Sequence, residues 1–182
     1  MTREHRIVRV APGVLAIVGG KWTTYRVMAR DLVDTVLSDG GLPPRECTTQ
    51  LIPLVGSSVM AARVPHDALP LTPEARAILD RRYGSRVGEV IGLMATRADL
   101  SAPLPDAPGY WAAEVAHACL SEGACDLDDV LDRRLRVGLN LDAVTPELVQ
   151  STAAIMGATL GWDAGTIENS AAAYLRASVH HA

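Results

Sequence analysis

The chain has 182 residues, enough for one domain with a hydrophobic core or for a small domain with an appendage. Apolar residues make up 48% and charged residues 21%, which excludes disordered, collagen-like and low-complexity classes. A net charge of −4 with both signs interspersed argues against a nucleic-acid surface, and no apolar run reaches the ~18 residues of a membrane span.

The cysteines and histidines show no spacing typical of a metal site. Cys47, Cys119 and Cys125 are odd in number and contain no C-x-x-C pair, which excludes a disulfide framework and a zinc site. The five histidines are scattered. We therefore expect reduced thiols, no bound metal and a cytoplasmic location.

The first 41 residues predict a strand, a turn, a second strand and a helix. His5 to Val10 alternate in polarity, Ala11-Pro12-Gly13 is typical of a turn, and Val14 to Val18 is a continuous β-prone run that predicts a strand buried on both faces. Gly19-Gly20 follows, and then a helical period up to Gly40-Gly41.

Residues 42–71 are rich in proline and lack a sustained helical period, so we predict an extended crossover with one short strand at Thr49 to Leu54. The remaining residues, 72–182, predict an all-α domain. Thr72-Pro73-Glu74 and Thr145-Pro146-Glu147 each combine an N-cap threonine, a proline at the first helical position and an early acid.

Further caps are predicted at Ser85, Asp126 and Asp163. Six or so amphipathic helices between Thr72 and Ala177 imply a helical bundle. The fold class is therefore mainly α, with a bundle preceded by a strand–Gly-Gly–helix segment.

The segment that follows the second strand is the strongest candidate for a binding site. Gly19 and Gly20 allow close approach of the backbone, and a helix that starts at Trp22, Thr23 and Thr24 directs free N–H groups toward a ligand. Lys21, the only lysine among 17 basic residues, adds a full positive charge. These features suit a phosphate or a ring carbonyl that becomes anionic; the alternative is an ordinary strand-to-helix turn.

The helical region offers weaker candidates. Glu114 and His117 are three residues apart on one predicted helix and could pair, although a structural role is the simpler account. Arg133, Arg134 and Arg136 could bind an anion, but pairing with the acidic helix start at 126–132 is the simpler account there too. Trp22, Trp111 and Trp162 are expected to be packing residues.

Several segments, in the right order along nearly the whole chain, resemble the C-terminal part of the FAD-dependent glycerol-3-phosphate dehydrogenases. The residues that carry the resemblance are Thr2 to His5, Gly19-Gly20-Lys21-Trp22-Thr23-Thr24-Tyr25-Arg26, Arg81 to Arg86, Glu114-Val115, Leu127 to Arg134 and Leu160-Gly161-Trp162. The chain departs from the family pattern at Leu120-Ser121 and at Leu135.

The resemblance implies that residues 1–41 are the end of an FAD-binding domain, whose upstream part and substrate-binding region lie outside this sequence. In the family, sn-glycerol 3-phosphate is oxidised to dihydroxyacetone phosphate and electrons pass from FAD to quinone. The resemblance implies that Gly19, Gly20, Lys21, Trp22, Thr23 and Thr24 contact the cofactor and that Lys21 is catalytic, with its charge toward the flavin or the substrate phosphate.

Two alternatives remain open at this point. The family resemblance is shared with glycerol-phosphate oxidases, which pass electrons to oxygen. A non-catalytic helical module would instead form oligomer contacts, such as a homodimer, or dock on the inner face of the cell membrane near quinone. We expect the isolated chain to be inactive, because the dinucleotide fingerprint is absent from its sequence.

Overall fold

We describe a computed structural model of the chain that covers residues 4–57, 71–141 and 144–178. It divides into two compact units, residues 1–54 (unit 1) and 55–182 (unit 2), with the boundary inside the predicted crossover. In the described part of the chain, no helix is both long and apolar enough to cross a lipid bilayer.

Unit 1 is a β-hairpin packed against one helix. Strand β1 (His5–Ala11) pairs antiparallel with β2 (Val14–Gly19), with Ile7 opposite Ile17 and Val8 opposite Ala16. A single 3₁₀ turn, Trp22–Thr24, leads into helix α1 (Tyr25–Asp39). The hairpin and helix predicted from the alternating and four-residue periods are confirmed.

Two predictions for unit 1 are wrong. Strand β2 is not buried on both faces, because it has only β1 beside it and α1 on one side in the described residues. The strand predicted at Thr49 to Leu54 is a 3₁₀ turn, Thr49–Leu51, followed by exposed residues; no described strand lies beside it to supply backbone partners. Residues 58–70 of the predicted crossover lie outside the described residues.

Unit 2 is the predicted helical bundle. Its helices are α2 (Pro73–Tyr83), α3 (Val87–Thr96), α4 (Ala112–Glu122), the short α5 (Val137–Asn140), α6 (Pro146–Leu160) and α7 (Ala164–Ser178), with a π-helical segment at Asp129–Arg134. One continuous core joins them, and its largest fully buried side chains are Leu79, Met94, Leu100, Leu127, Leu131, Leu148 and Met156.

Most of the predicted helix starts in unit 2 are confirmed. The Thr72 hydroxyl accepts from Ala75 N, and the Thr145 hydroxyl accepts from Leu148 N, each at 3.2 Å. The Asp126 and Asp163 carboxylates accept backbone N–H groups in the same way, each at 2.7 Å. The Ser85 cap is wrong, because a 3₁₀ turn at Gly84–Arg86 runs directly into α3 and the backbone is already helical there.

Candidate functional site

The predicted binding segment forms a continuous turn from the end of β2 into α1. Lys21 has an extended backbone and ends the strand, and its carbonyl oxygen accepts from both the backbone N and the hydroxyl of Thr24 at 3.0 Å. These two bonds fix the first helical turn. Because the first N–H groups of a helix have no intrahelical acceptor, those of Trp22 and Thr23 are available to a ligand.

Side chains from Lys21 to Thr24 are all exposed. Trp22 is 89% exposed and contacts Tyr25, with 6.2 Å between the ring centroids. The expectation that Trp22 is a packing residue is therefore wrong for the described chain. Trp111 and Trp162 do pack against the unit 2 core, as expected.

Contacts and backbone conformation within the chain itself explain why glycine occurs at positions 19 and 20. Gly19 and Gly20 have φ of +76° and +86°, a conformation that favours glycine. A Cβ at Gly19 would lie 2.7 Å from the carbonyl oxygen of Glu4, and one at Gly20 would lie 2.5 Å from the Met28 sulfur. The Glu4 carbonyl thus excludes a Cβ at Gly19 whether or not a ligand approaches, whereas at Gly20 the nearest atoms belong to the flexible end of the Met28 side chain and the positive φ is what favours glycine.

Some of the charged groups around α1 are paired with each other. His5 Nε2 lies 3.0 Å from an Asp31 oxygen, and Arg30 binds the other oxygen of the same carboxylate at 2.8 Å. Arg30 holds the pKa of Asp31 below its usual value, with a smaller contribution from His5. Lys21, like Arg6 and Arg26, forms no ion pair within the described residues.

The chemistry of this donor set suits an anion. An exposed helix start with roughly half a positive charge and an adjacent ammonium group can bind a phosphate or a carbonyl that carries negative charge. Among described residues no cluster of three histidine, cysteine or acidic side chains is placed to bind a metal ion.

Sequence reasoning did not find the ion pair at the centre of unit 2. Arg82 on α2 binds the fully buried carboxylate of Glu114 on α4, donates to the Gly109 carbonyl at 3.3 Å and lies 4.0 Å from the centroid of the Tyr110 ring. The other Glu114 oxygen accepts from Trp111 N at 2.9 Å. Burial raises the pKa of Glu114, and Arg82 opposes that effect.

His117 pairs with a different carboxylate from the one suggested by the sequence. Its ring is buried, and its Nε2 lies 3.1 Å from Glu89 of α3, whereas Glu114 is occupied by Arg82. The hydrogen bond from Arg86 is the main cause that lowers the pKa of Glu89 to about 2, and His117 contributes. The proposed Glu114–His117 pair is therefore wrong, and the structural account of His117 is supported.

The acidic helix start at 126–132 binds one of the three nearby arginines. Arg133 Nη1 lies 2.6 Å from Asp129 and 3.6 Å from Asp126, as the simpler account predicted. Arg134 and Arg136 are exposed and form no ion pair in the part of the chain that the structure describes.

Comparison with known proteins places the chain in a family. Over 180 residues, it is 36% identical to the glycerol-3-phosphate dehydrogenase of Mycobacterium leprae, a match that covers 96% of this chain and 31% of the relative. Glycerol-3-phosphate dehydrogenase 2 of Mycobacterium tuberculosis is 35% identical with the same coverage of both chains. A mitochondrial glycerol-3-phosphate dehydrogenase of Arabidopsis thaliana is 30% identical over 90% of this chain and 29% of the relative.

The chain thus spans about a third of the length of these relatives. No solved structure matches it. Residues 47–167, well over half of the chain, match the model of the C-terminal domain of alpha-glycerophosphate oxidase. The helical bundle of unit 2 makes up most of the matched region. This chain therefore belongs to the family of that C-terminal domain.

Proposed function

We propose that this chain forms the C-terminal part of an FAD-dependent glycerol-3-phosphate dehydrogenase, which oxidises sn-glycerol 3-phosphate to dihydroxyacetone phosphate and passes electrons to quinone. The observation that carries the proposal is the 36% identity over 96% of the chain to a protein named glycerol-3-phosphate dehydrogenase. A match of this length includes the Gly19–Thr24 segment as well as the bundle.

The candidate site supports the same function. FAD, when bound, supplies the hydride acceptor for the oxidation of the substrate alcohol. The residues of this chain that would hold it are the backbone of Gly19 and Gly20 and the helix start at Trp22, Thr23 and Thr24. Lys21 would place its ammonium group toward the flavin or the substrate phosphate, where a charge-assisted contact stabilises negative charge.

We propose that the isolated chain neither binds FAD tightly nor catalyses the oxidation of glycerol 3-phosphate. A dinucleotide is bound largely through its pyrophosphate and adenosine moieties, which require a glycine-rich βαβ unit. This sequence contains no G-x-G-x-x-G fingerprint. The partner implied by the proposal is the upstream FAD and substrate-binding region of the same enzyme.

Two alternative functions are distinguished by the experiment described in the next paragraph. A glycerol-phosphate oxidase would use oxygen as the electron acceptor, and the matched family model is described by that activity. A helical module without a catalytic role would form oligomer or membrane contacts only. The 36% identity to a protein named glycerol-3-phosphate dehydrogenase, over 96% of the chain, favours a part of an enzyme over a purely structural module.

The experiment is a chimera in which this chain replaces the matched region of the Mycobacterium leprae dehydrogenase. We expect bound flavin in the visible spectrum and reduction of a quinone analogue that depends on glycerol 3-phosphate. Oxygen consumption instead of quinone reduction would identify an oxidase. A chimera with native-like circular dichroism but no flavin and no turnover, beside an active native relative, would reject the proposal.

A further inference from the structure

A buried histidine in unit 2 lies between two carboxylates. The His117 side chain on α4 is only 1% exposed. Its Nε2 atom lies 3.1 Å from Glu89 of α3, and its Nδ1 atom lies 3.9 Å from Glu122 in the last turn of α4. Tyr83 of α2 contacts the same ring edge-on, with 5.2 Å between the ring centroids. The ring therefore contacts residues of three helices.

The two nitrogens of the His117 ring are not equally satisfied. A carboxylate only accepts hydrogen bonds, so Nε2 carries the proton that it donates to Glu89. Nδ1 is buried and has no hydrogen-bond partner within the described residues. In the neutral ring Nδ1 carries a lone pair, which cannot bind the Glu122 carboxylate. In the protonated ring it carries an N–H, which can donate to Glu122. Carboxylates beside both nitrogens thus match the protonated form.

The charges around the ring favour the same form. Arg86 donates to both oxygens of Glu89, at 2.9 and 2.6 Å. This hydrogen bonding is the main cause that lowers the pKa of Glu89 to about 2, so Glu89 stays negative in mildly acidic solution. Together with Glu122, the group then has two negative charges and one positive charge. A proton on His117 makes the group neutral, which offsets the cost of a charge on a buried ring.

The other ionisable groups on elements packed against α4 are occupied or keep their charge state. Burial raises the pKa of the Tyr83 hydroxyl and raises that of the Cys119 thiol to about 11, so both stay protonated at neutral pH. Helix α6, which is described throughout, buries no ionisable side chain. The acids of the remaining elements are bound to arginines, in the pairs Glu114–Arg82, Asp99–Arg97 and Asp129–Arg133.

We infer that His117 is a pH-sensitive clamp, which binds Glu89 and Glu122 together when its ring is protonated and releases Glu122 when Nδ1 loses its proton. Histidine is the side chain that ordinarily changes charge between about pH 5 and 8. Because the folded chain supplies carboxylates to the protonated ring, the stabilisation is present at acidic pH and is lost as the pH rises. The loss falls on the last turn of α4, where Glu122 precedes Gly123 at the helix end. The clamp belongs to unit 2 and does not depend on the proposed function.

The test is hydrogen exchange of the full chain at about pH 5.5 and pH 8.0, with each rate divided by its intrinsic chemical rate. We expect the protection of the amides from Cys119 to Glu122 to fall about ten-fold at the higher pH, because a charge-assisted hydrogen bond is lost. The matched variant is Glu122→Gln, whose amide can accept from a protonated Nδ1 or donate to an unprotonated one. Protection in that variant should change less than two-fold between the two pH values.

Two further measurements keep the test specific. His5→Gln removes the histidine–carboxylate contact of unit 1 and should leave the pH dependence of the α4 amides as it is in the native chain. Nitrogen-15 NMR of the His117 ring should show protons on both nitrogens at the lower pH and on Nε2 alone at the higher pH. Equal pH dependence of protection in the native chain and in Glu122→Gln would overturn the inference, and so would an unprotonated Nδ1 at about pH 5.5.

Discussion

The carboxylate of Glu114 is fully buried, and it is held by Arg82 and by the backbone N–H of Trp111. Removal of its charge leaves the Arg82 guanidinium without a counter-ion. Loss of one partner of a buried pair costs about 3–5 kcal/mol. Because a quarter of the Arg82 side chain reaches solvent, the cost here lies at the lower end of that range.

We therefore expect Glu114→Gln to lower the free energy of unfolding by about 3 kcal/mol, measured by urea denaturation of the full chain. The matched control is Asp99→Asn, which breaks the exposed Arg97–Asp99 pair and should change stability by less than ~1 kcal/mol. Equal effects of the two substitutions would show that the buried pair is not a major source of stability.

Lys21 gives a prediction about activity in the chimera. Loss of one charge-assisted contact costs roughly 1.5–3 kcal/mol. Lys21→Ala should therefore lower kcat/KM by about one to two orders of magnitude, since ~1.4 kcal/mol is a factor of ten. Lys21→Arg should restore only part of it, because a planar guanidinium does not reproduce a point charge. An unchanged kcat/KM for Lys21→Ala would remove Lys21 from the site.

At the level of elements, the junction between α2 and α3 depends on one glycine. Gly84 has φ of +53°, and a Cβ there would lie 1.9 Å from the carbonyl oxygen of Gly56. The neighbouring Ser85 N–H donates to that same oxygen at 3.3 Å. A backbone carbonyl held in this way cannot move aside cheaply, so the glycine in the Arg81-Arg82-Tyr83-Gly84 segment is a packing requirement.

We expect Gly84→Ala to lower the free energy of unfolding by more than ~3 kcal/mol in urea denaturation. The control is Gly123→Ala, at a glycine with φ of +69° and nothing within 4 Å of its Cβ position. That variant should lose only about 1–2 kcal/mol of stability, because the left-handed conformation is the single unfavourable feature of an alanine there. A similar loss in both variants would mean that the Gly56 contact contributes nothing.

The elements that could be predicted from sequence are those set by local chemistry. Thr72 and Thr145 each lie next to the proline and acid that mark a helix start, and both cap their helices. The Ser85 cap failed because Gly84 and Ser85 pack against the carbonyl of Gly56, a contact between distant parts of the chain that no local pattern encodes. The Arg82–Glu114 pair, 32 residues apart, was missed for the same reason.

The candidate site likewise has features that local sequence predicts and features that depend on the packing of distant segments. Gly19 to Thr24 are consecutive in the sequence, so their position on one turn could be predicted. The start of the helix could also be predicted from the sequence. The contact of Gly20 with Met28 and the exposure of Trp22 depend on how α1 crosses the hairpin, which no local pattern encodes.

On the scale of the whole molecule, the two units should differ in local stability. Amide protection follows burial, and unit 1 has no fully buried described residue. In hydrogen exchange on a dilute monomer, we expect the amides from Ile7 to Val18 to be at least about 100-fold less protected than those from Val87 to Met94. Equal protection of the two segments would show that the hairpin is stable without an additional partner.

The order of the helix contacts in unit 2 has a kinetic consequence. The pairs α2–α3, α3–α4 and α6–α7 are neighbours in sequence as well as in space, whereas α4 and α6 are separated by the π-helical segment and α5. Helical folds with many local contacts form in microseconds to milliseconds, and pairing between distant segments is slower. We therefore expect the packing of α6 on α4 to be the slower step in the folding of unit 2. The exposed valines of the hairpin remain uncovered in the isolated chain, so intermolecular association through its strands competes with correct folding.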